Sequence, residues 1–153
     1  TNADFDSDYG LTPNDVRHRV TAGLIYQLPS GFQVSSGFQY NTGKPYNALA
    51  GLGGLRNAVR AIDPATGQPF TRNAFTGPNF MTWDVRLSKM FRFGGAKSLE
   101  VLFEVFNLTN HVNFSGDPGY GFINNYNSDN FGTATQIVPN SQRQAEFGVR
   151  FAF

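Results

Sequence analysis

The chain has 153 residues with 12 Lys and Arg against 11 Asp and Glu, and a net charge of +1 gives no case for nucleic-acid or anionic-membrane binding by bulk electrostatics. Cysteine is absent, so disulfides hold nothing together. No run approaches the eighteen or so apolar residues of a membrane helix, and the mean hydropathy is −0.32, yet 16 Phe, 6 Tyr and 1 Trp stand against 15% charged residues. A chain of this kind that crosses a bilayer does so as strands.

The N-terminal Thr1-Asn2-Ala3-Asp4 carries no initiator Met, basic n-region or apolar h-region, which suggests a removed signal or a piece of something longer. Asp4, Asp6 and Asp8 alternate like the opening of a calcium loop, with Asp15 near the place of a twelfth ligand. Tyr9 stands where such a loop needs Gly, and the bidentate Glu is missing, so a solvated acidic loop is the reading.

Five segments then alternate apolar and polar residues with the period of a strand. Arg17 to Leu28 places Val20, Ala22, Leu24, Tyr26 and Leu28 opposite Arg19, Thr21, Gly23 and Gln27, with Ile25 as the apolar intruder. Phe32 to Asn41 sets Phe32, Val34, Phe38 and Tyr40 against Gln33, Ser35, Gly37 and Gln39. Met81 to Phe93 sets Met81, Trp83, Val85, Leu87, Phe91 and Phe93 against Thr82, Asp84, Arg86, Ser88 and Arg92. Ser98 to Phe106 sets Leu99, Val101, Phe103 and Val105 against Glu100 and Glu104, with Leu102 and Phe106 off-pattern. Arg143 to Phe153 sets Ala145, Phe147, Val149, Phe151 and Phe153 against Gln144, Glu146, Gly148, Arg150 and Ala152. Each segment has about the 9–11 residues that a tilted strand needs to cross hydrocarbon.

The connections are as telling as the strands. Pro29-Ser30-Gly31 and Gly94-Gly95-Ala96-Lys97 are tight hairpin links. The other two, Asn41 to Phe80 and Asn107 to Gln142, run to roughly 35–40 residues, far beyond the loops of compact soluble domains. Strict alternation of short and long links is the asymmetry of outer-membrane barrels, with short periplasmic turns and long external loops. It sends the strands down, up, down, up, down, and puts Phe153 on the periplasmic side.

The polar faces carry Arg19, Asp84, Arg86, Glu100, Glu104, Glu146 and Arg150. A dry sandwich core would have to pair all of these, whereas a wet lumen removes the difficulty. Lys89 falls on an apolar face near the lower end of its strand, where it could snorkel to the interface or mark a bulge. Tyr26, Phe32, Tyr40, Trp83, Phe91, Phe93 and Phe153 lie near strand ends and suit interfacial girdles.

Motifs for chemistry are weak. His18 and His111, at the outer ends of different strands, read as hydrogen-bonding groups at loop bases. Gly51-Leu52-Gly53-Gly54 lacks the spacing and the Lys-Ser/Thr of a phosphate loop. No Gly-x-Ser-x-Gly, HExxH or Cys/His set occurs. Glu100 and Glu104 share a strand face but stand ~13 Å apart, too far for a glycosidase pair. Asn107-Leu108-Thr109 matches a glycosylation sequon, which means little in a bacterial outer membrane. The expectation is a protein with no catalytic, cofactor-binding or metal site.

Several stretches resemble a known family. They are Asn14-Asp15-Val16-Arg17-His18-Arg19, Thr42-Gly43-Lys44-Pro45-Tyr46, Arg72-Asn73 with Gly77-Pro78, Trp83-Asp84-Val85-Arg86-Leu87-Ser88-Lys89 and Phe103-Glu104-Val105-Phe106-Asn107-Leu108-Thr109-Asn110-His111. Together they resemble the C-terminal end of TonB-dependent outer-membrane receptors, and most closely the Oar-like members with a carboxypeptidase-regulatory-like N-terminal domain. Glu146, Gly148, Phe151 and Phe153 resemble the C-terminal signal that hands outer-membrane barrels to their assembly machinery.

The resemblance implies an all-β, antiparallel transmembrane barrel of about 22 strands around a plug. Its partners would be the remaining strands and plug, outer-membrane lipid, the barrel-assembly machinery, and TonB through an N-terminal part not in this sequence. Residues 1–153 are then expected to be the C-terminal part of that barrel, in the cell outer membrane, because five strands cannot close around a lumen. Substrate uptake is the expected function. A scaffold β-element in an envelope or extracellular assembly is the alternative, a secreted β-sandwich comes third, and an enzyme last.

Overall fold

Alternation at period two needs a neighbour on each side to satisfy the backbone, and the strands supply one another. The computed structural model describes residues 8–50, 59–117 and 121–153. Asp4, Asp6 and Gly51-Leu52-Gly53-Gly54 lie outside the described residues. In chain order the strands are β1 (Arg19–Leu28), β2 (Phe32–Asn41), β3 (Pro45–Tyr46), β4 (Leu49–Ala50), β5 (Val59–Arg60), β6 (Phe75–Thr76), β7 (Phe80–Arg92), β8 (Ser98–Phe106) and β9 (Gln144–Ala152). A single 3-10 turn, Pro29–Gly31, joins β1 to β2. Among the described residues no helix is long and apolar enough to cross a membrane.

The described residues divide into two units. The sheet unit takes Arg19–Tyr40, Met81–Val112 and Pro139–Phe153. Its five strands lie in the order β1-β2-β7-β8-β9, so neighbours in sequence are neighbours in space. The five expected strands are all present, with ends displaced by at most two residues.

Antiparallel register puts Leu87 opposite Phe103 and Phe103 opposite Phe147, and the next rows are Lys89, Val101, Val149 and then Phe91, Leu99, Phe151. The other face carries the rows Arg86, Glu104, Glu146 and Met90, Glu100, Arg150. Between β7 and β8, Gly94 (φ 90°) and Gly95 (φ 62°) take the left-handed backbone that a tight reversal requires, and Phe93 N–H closes on Lys97 C=O at 3.1 Å.

Nothing among the described residues encloses the apolar face of this sheet. Leu24, Tyr26, Leu87, Phe103, Phe147 and Val149 are all exposed, and Phe147 is 70% so. Contiguous exposed apolar side chains of this size mark a surface that meets a partner or a membrane.

The loop unit takes the described residues of Thr1–His18, Asn41–Phe80 and Asn113–Val138. Two small antiparallel ladders frame it, β3 with β6 (Tyr46 opposite Phe75) and β4 with β5 (Leu49 opposite Arg60). Six rings pack between them. Tyr46 meets Phe122 edge-on at 4.4 Å between centroids, Phe75 meets Phe131 at 5.1 Å and 88°, and Phe70 meets Tyr126 at 5.0 Å. Tyr46, Ala48, Ala61 and Phe122 are buried. Two long connections that read as loops therefore share a hydrophobic nucleus, each edge-to-face pair adding about 0.5–1.5 kcal/mol beyond its burial.

Gly43 and Gly77 explain why two separated motifs are needed at once. A Cβ on Gly43 would lie 1.9 Å from the Gly77 carbonyl oxygen, so no other residue fits. Gly77 N–H in turn donates to Lys44 C=O at 2.9 Å, and Gly43 N–H donates to Asn79 Oδ1 at 3.1 Å.

Candidate functional site

The polar face of the sheet unit is the surface with charge, and strand alternation is what gathers it there. Arg86 on β7 faces Glu104 directly across β8, and its Nη2 reaches Glu100 Oε1 at 3.7 Å. Glu100 lies directly opposite Arg150, while Glu104 lies opposite Glu146. Two carboxylates facing each other repel unless water or a cation intervenes, so Arg86 beside them and an aqueous surround both favour this arrangement. Arg86 Nε is buried without a hydrogen-bond partner. The ion pair itself is half-exposed and contributes little to stability.

An open groove of about 630 Å³ follows this face across four strands, with Gly23, Gln33, Ser35, Asp84, Arg86 and Glu104 among its lining. Its groups are hydrogen-bond donors and acceptors of both signs, suited to water and polar solutes.

At the end of β8 the chain builds a buried hub that sequence reasoning missed. Asn107 is 2% exposed and takes the left-handed conformation at φ 47°. Its N–H donates to Asp84 Oδ1 at 2.8 Å. Its side-chain Nδ2 donates to the carbonyls of His111 (2.8 Å) and Ser141 (2.7 Å), and its Oδ1 accepts from His111 N–H (3.1 Å) and Thr109 Oγ1 (3.2 Å). One residue thus ties β7 through its backbone N–H, and the turn after β8 and the segment entering β9 through its side chain. The available signal was the string Asn107-Leu108-Thr109-Asn110, read as a sequon when it is a turn closed by its first residue. Beside the hub, Thr82, Asp84, Asn107, Gln142, Gln144 and Glu146 help line a second hollow of about 300 Å³.

The proposed signal residues divide between the faces of β9. Glu146 and Gly148 stand on the polar side and Phe151 on the apolar side, in register with Leu99. The Phe151 and Phe153 rings stack at 5.9 Å, and Phe153 is 91% exposed. Gly148 has a local reason as well. A Cβ there would meet Leu102 Cδ1 and Cγ at 3.0 Å, so off-pattern Leu102 lies in the space that the glycine leaves. β9 forms one edge of the sheet.

Other candidates find ordinary partners. Asp8 receives Arg60 at 2.7 Å, and Asp15 lies 3.9 Å from Arg17, so both carboxylates have cations beside them. Among the described residues no three His, Cys, Asp or Glu side chains converge as a metal site. His18 uses its backbone, with its N–H donating to Thr42 Oγ1 and its carbonyl accepting from Thr42 N–H. His111 likewise meets Asn107 through main-chain groups. In the loop unit, Asp15, Arg17, His18 and Thr42 help line a pocket of about 330 Å³. Burial raises the Tyr46 phenol above its ordinary pKa.

Trp83 carries its indole on the apolar face, and Ser36 explains how. Trp83 Nε1 donates to Ser36 Oγ at 2.8 Å, which satisfies two polar groups that lipid could not.

A family model described as an outer membrane beta barrel domain matches residues 57–146, more than half of the chain. No curated protein and no solved structure matches it significantly.

Proposed function

The chain belongs to the outer membrane β-barrel domain family and resides in the cell outer membrane, and from that premise we propose that it forms part of the wall and external loops of a TonB-dependent substrate receptor. The observation that carries the reading is the two-faced sheet. One face is apolar and uncovered, the other holds Glu100, Glu146 and Arg150 and an open groove lined in part by Asp84, Arg86 and Glu104. Such a sheet separates lipid from a watery lumen. Its edges at β1 and β9 call for further strands, because five cannot enclose a lumen. The likeness of the motif-bearing segments to TonB-dependent receptors supports energy-coupled uptake, with the loop unit and its pocket offering contacts to substrate.

Uptake of iron chelates, oligosaccharides and peptides by producing and deleted cells, each with and without a protonophore, tests the reading. Loss of at least one uptake on deletion and on collapse of the proton gradient is expected. Uptake unaffected by deletion for all three classes would favour a scaffold element instead.

Assembly is a separate part of the proposal. Phe153→Ser should lower the yield of heat-modifiable folded protein without changing synthesis, because the terminal aromatic belongs to the proposed signal on an edge strand open to β-augmentation. An unchanged yield would remove Phe153 from that role.

A further inference from the structure

Among the described residues of β7, β8 and β9 the apolar face carries one cation, Lys89, and its surroundings are built. Lys89 sits in the row Lys89, Val101, Val149, one row inward from Phe91, Leu99 and Phe151. Its ammonium donates to the Ser30 carbonyl in the turn between β1 and β2. It lies 4.0 Å above the Phe32 ring and 5.5 Å from the Phe91 ring. Among the described residues it has no carboxylate partner. The side chain therefore runs along the apolar surface toward the turn and ends in an aromatic bracket, instead of marking a bulge.

An ammonium has three donors, and one is used. The remaining two leave room for a further acceptor, and the neighbouring Phe32 and Phe91, with Phe93, are exposed. A charge held at that level without a counter-ion is costly, and an anion approaching from the headgroup region would remove the cost. The counter-charge must also tolerate rings on both sides, as a phosphodiester flanked by acyl chains does. Trp83 to Phe91 spans about 26 Å along β7 at ~3.3 Å per residue, so Phe91 and Lys89 stand at one margin of an apolar band and Trp83 at the other.

We propose that Lys89, bracketed by Phe32 and Phe91 and steadied by the Ser30 carbonyl, is a binding site for the phosphate of a membrane phospholipid headgroup at the short-turn end of the sheet. This rests on the lipid-facing reading of the apolar surface. The lipid would seat its acyl chains on the Val101, Val149 and Phe103 surface while the phosphate accepts hydrogen bonds from Nζ.

The test uses the full protein folded in neutral detergent, with phosphatidylglycerol or a galactolipid of the same acyl chains added, and native mass spectrometry to count retained lipid. Heat-modifiable mobility reports barrel folding separately, so failure of the lipid-facing reading and failure of this site are told apart. Wild type should retain phosphatidylglycerol over galactolipid by about fivefold, which is what ~1 kcal/mol per interfacial cation gives. Lys89→Gln should lose that preference while folding normally, and Lys89→Arg should keep it. Equal retention of both lipids by wild type would overturn the proposal. So would a preference that survives in Lys89→Gln, or one abolished by millimolar inorganic phosphate, which would mark a free-anion site.

Discussion

The two units differ in whether they bury apolar side chains. Among the described residues, the buried hydrophobic side chains Tyr46, Ala48, Ala61 and Phe122 all belong to the loop unit, whereas those buried in the sheet unit are Ser88, Asn107 and Ser141. The loop unit follows the rule for proteins in water, with rings inside and its buried polar residues, Asn73 and Asn113, beside them. The sheet unit inverts it, with Phe and Leu outward and hydrogen bonds inside. One sequence thus answers two solvents, and the same residue type, Phe, serves as a nucleus in one region and as a lipid surface in the other.

The contrast breaks most sharply at matched phenylalanines. Phe122→Ala should cost about 3–5 kcal/mol, because it empties a site 2% exposed. Phe103→Ala, at 48% exposed, should cost far less in a bilayer. Urea unfolding of the reconstituted protein, read with protease sensitivity of the loop unit, measures both. Equal costs would mean that the loop nucleus is not a solvent-excluded core.

Charge placement comes next. Val85→Arg puts a cation on the lipid face near mid-strand and should cost about 2–4 kcal/mol, whereas Ser35→Arg points into water and should cost much less. The fraction of heat-modifiable protein against urea concentration separates them. Equivalent destabilisation would show the face assignment to be wrong.

Asn107→Ala should cost about 1–3 kcal/mol, because it strands buried carbonyls that its amide satisfies. Slowed amide exchange around His111 and Ser141 in wild type, lost in the variant, is the expected signature. Unaltered exchange would reduce the hub to a passive turn.

The smallest effect concerns pH. Tyr46 has a folded pKa raised by burial, so its contribution to stability is fully present below the unfolded value near 10 and is lost as pH rises through the folded value. Alkaline titration of loop-unit protease resistance should show this loss, and Tyr46→Phe should remove that component. An identical alkaline profile in both proteins would assign the transition to other groups.

Sequence alone determined what is local. Period-two alternation placed Val85 and Arg86 on opposite faces, and Gly94-Gly95 and Pro29-Ser30-Gly31 marked the reversals, because face and turn follow from neighbouring residues and backbone sterics. The polar face was legible for the same reason, down to the charges at 84, 86, 100, 104, 146 and 150. Tertiary structure decided what depends on distant partners. Trp83 finds Ser36 across 47 positions, Asn107 finds Ser141 across 34, and Asn73 Nδ2 reaches Leu11 C=O across 62. Gly148 yields its space to Leu102, and Gly43 needs Gly77, through approaches that no spacing announces. The aromatic nucleus was hidden for a related reason. Its rings come from segments without periodicity, so burial there is fixed only when two long connections meet and exclude water from Tyr46 and Phe122 together.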